Sequence, residues 1–314
     1  MALVYAQLLF AMLFFGLSFV FTAVSLQQLS PVTIILFRLM VSIMCLAAVG
    51  SVPRLRRITG HLVMPARSDI PSFLLIALFQ PFLYFLGENT GLLYTTPAAA
   101  SVVIATIPVL TPVGVFFVLR ERVSWYTVLG AIVSLAGVGL LVRSDLGAGG
   151  NDIRGILFVF LAVLAAVGYS ISLKRLPDHY SSVTVVVWQN IFGLLYFLPV
   201  FIIREQGSFP GFAGVSPEIW GAILFLGVFP STVSFVFLSR GIRILGAAKA
   251  NITTNTVPVF AALFSILVLG EPVLLSTIVG MVVVLTGVLI SQVSNLAGWS
   301  SGGRATAIRW PVDT

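Results

Sequence analysis

Charge is what this chain has least of. Lysine, arginine, aspartate and glutamate make up 9% of its 314 residues, against about a quarter in soluble domains. No charged side chain precedes Arg38. A single water-soluble globule is excluded. The one cysteine, Cys45, sits inside an apolar run, so neither a disulfide framework nor a thiolate metal site is available. Both histidines, His61 and His179, fall in polar connections, which removes haem ligation within a helical bundle. The glycine-rich phosphate loop, the Gly-x-Ser-x-Gly elbow, the His-Glu-x-x-His pair and aspartate-rich metal motifs are all missing. ATP is therefore not expected as a direct energy source. No cofactor, no metal and no enzymatic reaction are expected. The apolar runs are continuous rather than alternating, which excludes a transmembrane barrel.

What is present is apolar: 59% of the residues are hydrophobic and the mean hydropathy is +1.11. A bilayer crossing takes about 20 apolar residues, and the sequence divides into ten such runs. They cover about Leu3–Val24, Pro31–Gly50, Ser72–Tyr94, Pro97–Leu119 and Ser124–Val142, then Gly155–Leu173, Ser182–Ile203, Glu218–Ser239, Gly246–Leu269 and Pro272–Ser294. The expected fold is an all-α membrane protein of ten transmembrane helices. Met1–Phe10 has no basic n-region, so the first run is expected to be retained. The connections Ser25–Ser30, Arg120–Val123 and Gly270–Glu271 are too short for anything but antiparallel neighbours. The Gly/Ser-rich segment 295–314 is expected to be a disordered cytoplasmic tail.

The formal net charge of +7 reads as membrane orientation rather than nucleic-acid binding. Thirteen basic residues fall on one side of the ten runs and three on the other, Arg143, Arg154 and Arg204. Both termini are expected in the cytoplasm, and the protein in the inner (plasma) membrane of a bacterium.

Shifted by 150 residues, the chain matches itself. Between positions 98 and 140, 15 of 43 residues are identical to those 150 further on, including Thr106/Thr256, Pro108/Pro258, Glu121/Glu271, Gly130/Gly280 and Gly137/Gly287. Earlier in the halves, Gly16 and Ser18 align with Gly168 and Ser170, and Val32-Thr33 with Val183-Thr184. The units are 1–142 and 155–294, joined by a linker at 143–154. Each holds five spans, an odd number, so the two copies are expected in opposite orientation. That is the inverted-repeat plan of secondary transporters, with the substrate near the midplane between repeats. The plain alternative is a duplication that yields only a stable bundle.

Ionisable groups inside spans usually face an interior. Arg38 lies roughly 10 Å deep at 1.5 Å per residue, and Glu88 sits in the outer half of its span. Opposite charge at matched depth suggests a buried ion pair; snorkelling to the outer surface is the alternative. Gln80, Tyr84 and Glu88 recur at four-residue spacing along one stripe, flanked by Gly87 and Gly91, which would admit a close neighbour. Asn251, Thr254, Asn255 and Pro258 share a helix face in the most polar span of the chain. Pro108 and Pro258 are expected to kink equivalent spans. Trp188 and Gln189 stand at mid-depth in the seventh span. Substrate binding is therefore expected at Gln80, Tyr84, Trp188, Gln189, Asn251, Thr254 and Asn255, with packing by amides and hydroxyls as the structural alternative. Lys249 is placed at the cytoplasmic end.

These features resemble the drug/metabolite transporter superfamily in its ten-helix EamA-type form. The resemblance rests on the paired segments Thr95–Leu141 and Gly246–Leu289. Each has a small-residue start, a mid-span proline and a closing glutamate: Ala98-Ala99-Ala100, Pro108 and Glu121, then Ala247-Ala248, Pro258 and Glu271. Phe15-Gly16 and Phe37-Arg38 fit the same pattern. The resemblance implies a central cavity lined by spans 1–4 and 6–9, and alternating-access export of a small molecule. Span 1 lacks the acid of four-helix multidrug relatives, and the late spans lack the basic residues of organic-phosphate antiporters. A neutral or zwitterionic metabolite is left as the expected substrate, with amino acids, aromatic ones included, in the lead. A passive channel or facilitator, or export of drugs or sugars, is the competing expectation. The expected partners are the small-molecule substrate and the bilayer, in a monomer or homo-oligomer.

Overall fold

The computed structural model describes residues 2–51, 62–119, 124–145, 152–205, 207, 209–246, 250–251, 253–270 and 275–300. Glu121, Glu271, Lys249 and the segment 301–314 lie outside the described residues. Among those described there are helices and turns and no β-strand. The main helical segments are α1 (Ala2–Ser25), α2 (Pro31–Ser51), α3 (Ile70–Gly91), α4 (Pro97–Leu119), α5 (Trp125–Asp145), α6 (Ile153–Lys174), α7 (Ser182–Arg204), α8 (Pro217–Leu245), α9 (Thr253–Leu269) and α10 (Leu275–Ser300). Seven of them, α1–α4 and α6–α8, are long and apolar enough to cross a bilayer. The apolar stretches of α5, α9 and α10, namely Trp125–Leu140, Thr253–Leu269 and Thr277–Ser291, are shorter. The last helix runs through Ser300, past the expected boundary at Ser294. Large apolar side chains such as Phe117, Ile203 and Leu289 are more than two-thirds exposed, a surface suited to lipid.

Local chemistry explains where the helices start. Proline stands in the first turn of α2, α4 and α8, where a missing N–H costs nothing. Thr96, Asp152 and Ser181 cap α4, α6 and α7, accepting from the amides of Ala99, Arg154 and Thr184. The start of α2 is capped from a distance: the Glu205 carboxylate accepts from the Thr33 amide and hydroxyl, both at 3.0 Å, and from the Ser30 hydroxyl.

Four helices are broken, and the breaks come in pairs. In α3 the stretch Leu78–Leu83 is π-helical, with Gln80 in extended geometry (φ −145°, ψ 118°) directly before Pro81. In α8 the stretch Phe229–Ser234, carrying Pro230, is also π-helical. α4 divides into Pro97–Ile104 and Ile107–Leu119, and α9 into a 3-10 turn Thr253–Thr256 followed by Val257–Phe264. The second pieces begin 150 residues apart. Pro108 and Pro258 therefore sit in the first turn of a new helical piece. The expected kink falls just ahead of each, because the ring cannot accept the carbonyl four residues back.

Packing follows the same pairing. α1 lies against α8 and α9, and α6 against α3 and α4; α2 packs on α7 and α8, and α7 on α2 and α3. Replacing each helix by the one five places on turns either set of contacts into the other. α5 and α10 pair with each other. A Cβ on Gly130 would stand 2.4 Å from the Gly287 carbonyl, and one on Gly137 3.1 Å from that of Gly280. The two helices therefore run antiparallel with their backbones in contact, which only glycine permits. Midway, the Ser134 hydroxyl donates to the Val284 carbonyl at 3.1 Å, between positions 150 residues apart.

Candidate functional site

A cavity holding about 580 Å³ of empty space, partly open, lies among α1–α4, α6, α8 and α9. The broken helices converge on it, so the sequence breaks and the space coincide. Its wall takes polar groups from both halves of the chain: Ser18, Arg38, Gln80, Tyr84 and Glu88, then Tyr169, Ser170, Asn251 and Thr254. The rest is apolar, including Phe15, Phe19, Phe85, Phe235 and Leu238.

Arg38, on α2, is 1% exposed. Its guanidinium lies over the Phe85 ring at 4.0 Å from the centroid, and its Nε donates to the Ser231 hydroxyl at 2.9 Å. Ser231 belongs to the π-helical stretch of α8, so the break brings this hydroxyl to Arg38. A polar network backs the contact. Ser42 donates to the Ser231 carbonyl at 3.1 Å and meets the Thr232 hydroxyl at 2.6 Å, and Asn190 of α7 donates to Ser42 at 2.8 Å. The backbone of α8 can come this close because position 227 is glycine: a Cβ there would lie 3.0 Å from the Arg38 carbonyl.

Glu88, on α3, is 2% exposed and has the Tyr84 hydroxyl beside it. The expected ion pair is not formed: Arg38 and Glu88 line one cavity, but no salt bridge joins them among the described residues. Arg38 is turned to Ser231 instead. Its Nη1 and the Glu88 Oε1 are both buried without a hydrogen-bond partner.

On the opposite wall, the Asn251 amide donates to Thr111 of α4 and Ser170 of α6, both at 3.2 Å. Thr254 donates to the Asn251 carbonyl at 2.6 Å, the position left open by the 3-10 turn. Of the expected substrate residues, the structure brings Gln80, Tyr84, Asn251 and Thr254 to the cavity. Trp188, Gln189 and Asn255 are not in its wall. The Trp188 indole donates to the Val63 carbonyl at 3.0 Å, because the segment leading into α3 folds over the start of α7. Gln189 is fully buried with both amide atoms unpartnered, and Asn255 is half-buried. Ser231 and Tyr169 were not singled out in the sequence. The signal for Ser231 was present in Pro81 and Pro230, almost one repeat apart in equivalent spans.

The ends of the bundle are clasped by other polar contacts. Tyr180 donates to Asp69 at 2.7 Å and accepts from the Ala66 amide at 2.9 Å. Arg243 donates to the carbonyls of Tyr180 and Asp178, and its guanidinium lies 3.5 Å from the Asp178 carboxylate. The opposite end carries the Glu205 clasp on Ser30 and Thr33.

A bundle of apolar helices, seven of them long and apolar enough to cross a bilayer, defines an integral membrane protein. The EamA-like transporter family model matches residues 2–143 and again 153–292. The chain belongs to the EamA-like transporter family. A relative in Bacillus subtilis, the uncharacterized transporter YetK, is 25% identical over 72% of this chain and 69% of its own length. A probable terminal-alkyne amino-acid exporter of Streptantibioticus cattleyicolor is 24% identical over 66% of this chain and 68% of its own. A solved chain, titled only as the crystal structure of a protein, superposes with a TM-score of 0.67 at 18% identity, over 93% of this chain and 97% of that one. That likeness concerns the fold alone. The family and these named relatives are transporters and not enzymes.

Proposed function

We propose that this chain is a secondary transporter that exports a small neutral or zwitterionic metabolite, with amino acids, aromatic ones included, as the leading substrates. The cavity between the two halves carries the reading: polar groups from α1–α3 face others from α6 and α9 across it, as a site at a repeat interface requires. Gln80, Tyr84, Asn251 and Thr254 are the proposed solute contacts, since their amides and hydroxyls can hydrogen-bond polar groups of a small solute.

The proposed architecture is two inverted five-helix repeats making ten crossings in the inner membrane, with both termini cytoplasmic. Support comes from the antiparallel approach of Gly130 to Gly287 and of Gly137 to Gly280, equivalent positions exchanging places. The two-stretch family match supports the duplication, and the named amino-acid exporter supports the substrate class. Alternating access would proceed by bending at the breaks ahead of Pro108 and Pro258 and by releasing one end clasp while the other holds.

The test is counterflow in proteoliposomes, using a panel of labelled amino acids, sugars and uncharged solutes. A carrier gives trans-stimulated uptake of at least one of them. Uptake that is never trans-stimulated fits a channel or facilitator and overturns the proposal.

A further inference from the structure

Two opposite charges face one cavity without a salt bridge between them among the described residues. Arg38 is fixed from three directions: Nε by Ser231, the guanidinium face by Phe85 and the backbone by the close approach of α8 at Gly227. Its Nη1 is left without a partner. Glu88 enters the same cavity from α3 with Oε1 also unpartnered. Buried charged groups are tolerated when they are hydrogen-bonded or paired, and each open position here costs stability until something fills it. The Ser231–Ser42–Asn190 chain holds the Nε side of the guanidinium against α8 and leaves Nη1 free. The same cavity wall carries the apolar side chains Phe15, Phe19, Phe85, Phe235 and Leu238.

We propose that Arg38 and Glu88 form a zwitterion clamp, in which the guanidinium takes the carboxylate of the solute, the Glu88 carboxylate takes its ammonium, and Phe15, Phe19 and Phe235 hold an apolar side chain. The substrate class is then the α-amino acids with apolar or aromatic side chains. A compound with one charge leaves the other buried group unpaired, and sites built on polar pairing reject such analogues strongly. Ser231 acts as a positioning residue that aims Arg38. This inference rests on the transport reading above and deepens it by naming the poles of the site.

The test is counterflow of labelled L-phenylalanine in proteoliposomes, with unlabelled L-phenylalanine, phenethylamine and 3-phenylpropanoate as competitors. The clamp requires L-phenylalanine to compete at least about tenfold better than either single-charge analogue. Arg38→Gln should abolish the preference over phenethylamine, and Glu88→Gln the preference over 3-phenylpropanoate. Should either variant fail to fold, the wild-type competition still decides. Equal competition by the three compounds, or a preference that survives in both folded variants, overturns the clamp. Trans-stimulated counterflow of a sugar or an uncharged solute without any of phenylalanine overturns the clamp and leaves the transport reading intact. Absence of trans-stimulation across the whole solute panel overturns both.

Discussion

The two halves of this chain keep the same packing positions and differ in the chemistry they present. Gly130 and Gly137 recur as Gly280 and Gly287, and Pro108 recurs as Pro258 at the same helix break. Phe85 and Phe235 both line the cavity, as do Ile107 and Val257. The charges do not recur. Glu88 aligns with Leu238, which lines the cavity without charge, and Arg38 aligns with Gln189, which is buried outside it. Positions that let backbones meet are held because a Cβ would collide with a carbonyl. Positions facing the cavity are free of that demand; some recur and others differ, and among the lining residues only the first half supplies charged side chains, Arg38 and Glu88.

The largest expected effect comes from testing that asymmetry. Arg38→Leu should lower the initial transport rate at least about tenfold, equivalent to about 1.4 kcal/mol of barrier. Gln189→Leu, at the aligned position, should have a clearly smaller effect at matched protein levels. Equal losses would erase the distinction between the halves.

Next comes the shared frame. Gly130→Ala and Gly287→Ala each place a methyl group within 2.6 Å of the facing carbonyl, and overpacking of this kind costs about 1–3 kcal/mol. Both should lower the thermal unfolding midpoint in detergent by similar amounts, since they load one contact from its two sides. If one is tolerated and the other is not, α5 and α10 do not share the contact evenly.

A smaller effect separates lining from neighbouring residues in α9. Asn251→Ala removes donors to Thr111 and Ser170 and leaves buried hydroxyls short of a partner, a loss of about 1–3 kcal/mol. Transport by Asn251→Ala should fall several-fold, and by Asn255→Ala less. The reverse order would move the site away from Asn251 and from Thr254 at the start of α9.

The smallest effect lies at the entrance to the second half. Hydrogen bonds from the Arg154 side chain and amide hold the exposed Asp152 carboxyl below its ordinary range. A depressed carboxylate contributes stability above its unfolded value and loses it as pH falls through the folded one. The cap should therefore weaken only on acidification below the usual carboxylate range. Asp152→Asn should flatten that acid limb slightly and leave neutral-pH stability nearly unchanged, read by unfolding midpoints across pH.

Much of the fold is visible in the residues. Long apolar runs, proline in first turns and the 150-residue match carry helices, starts and pairing. Within the site, Tyr84 and Glu88 share a face by helical periodicity, whereas Gln80 and Thr254 reach the cavity at helix breaks. Trp188 and Gln189 lie outside the cavity wall because periodicity does not say which face of α7 turns inward, and because Val63 captures the indole from a remote segment. Arg38 and Glu88 were matched for depth. Depth carries no information about azimuth, and the competing partner, Ser231, belongs to a helix 193 residues away in sequence.

By itself, then, the amino-acid order determined that this chain lives in lipid, that its sequence repeats, where most of its helices start, and that the two spans carrying Pro108 and Pro258 break. Those properties follow from local backbone satisfaction, proline geometry and apolar length, which need no partner. Only the tertiary structure decided that the breaks in α3, α4, α8 and α9 gather around one cavity, and that the guanidinium of Arg38 bonds Ser231 rather than Glu88. Those outcomes depend on how helices rotate and approach one another, and a shift of a few ångströms in packing exchanges one hydrogen-bond partner for another.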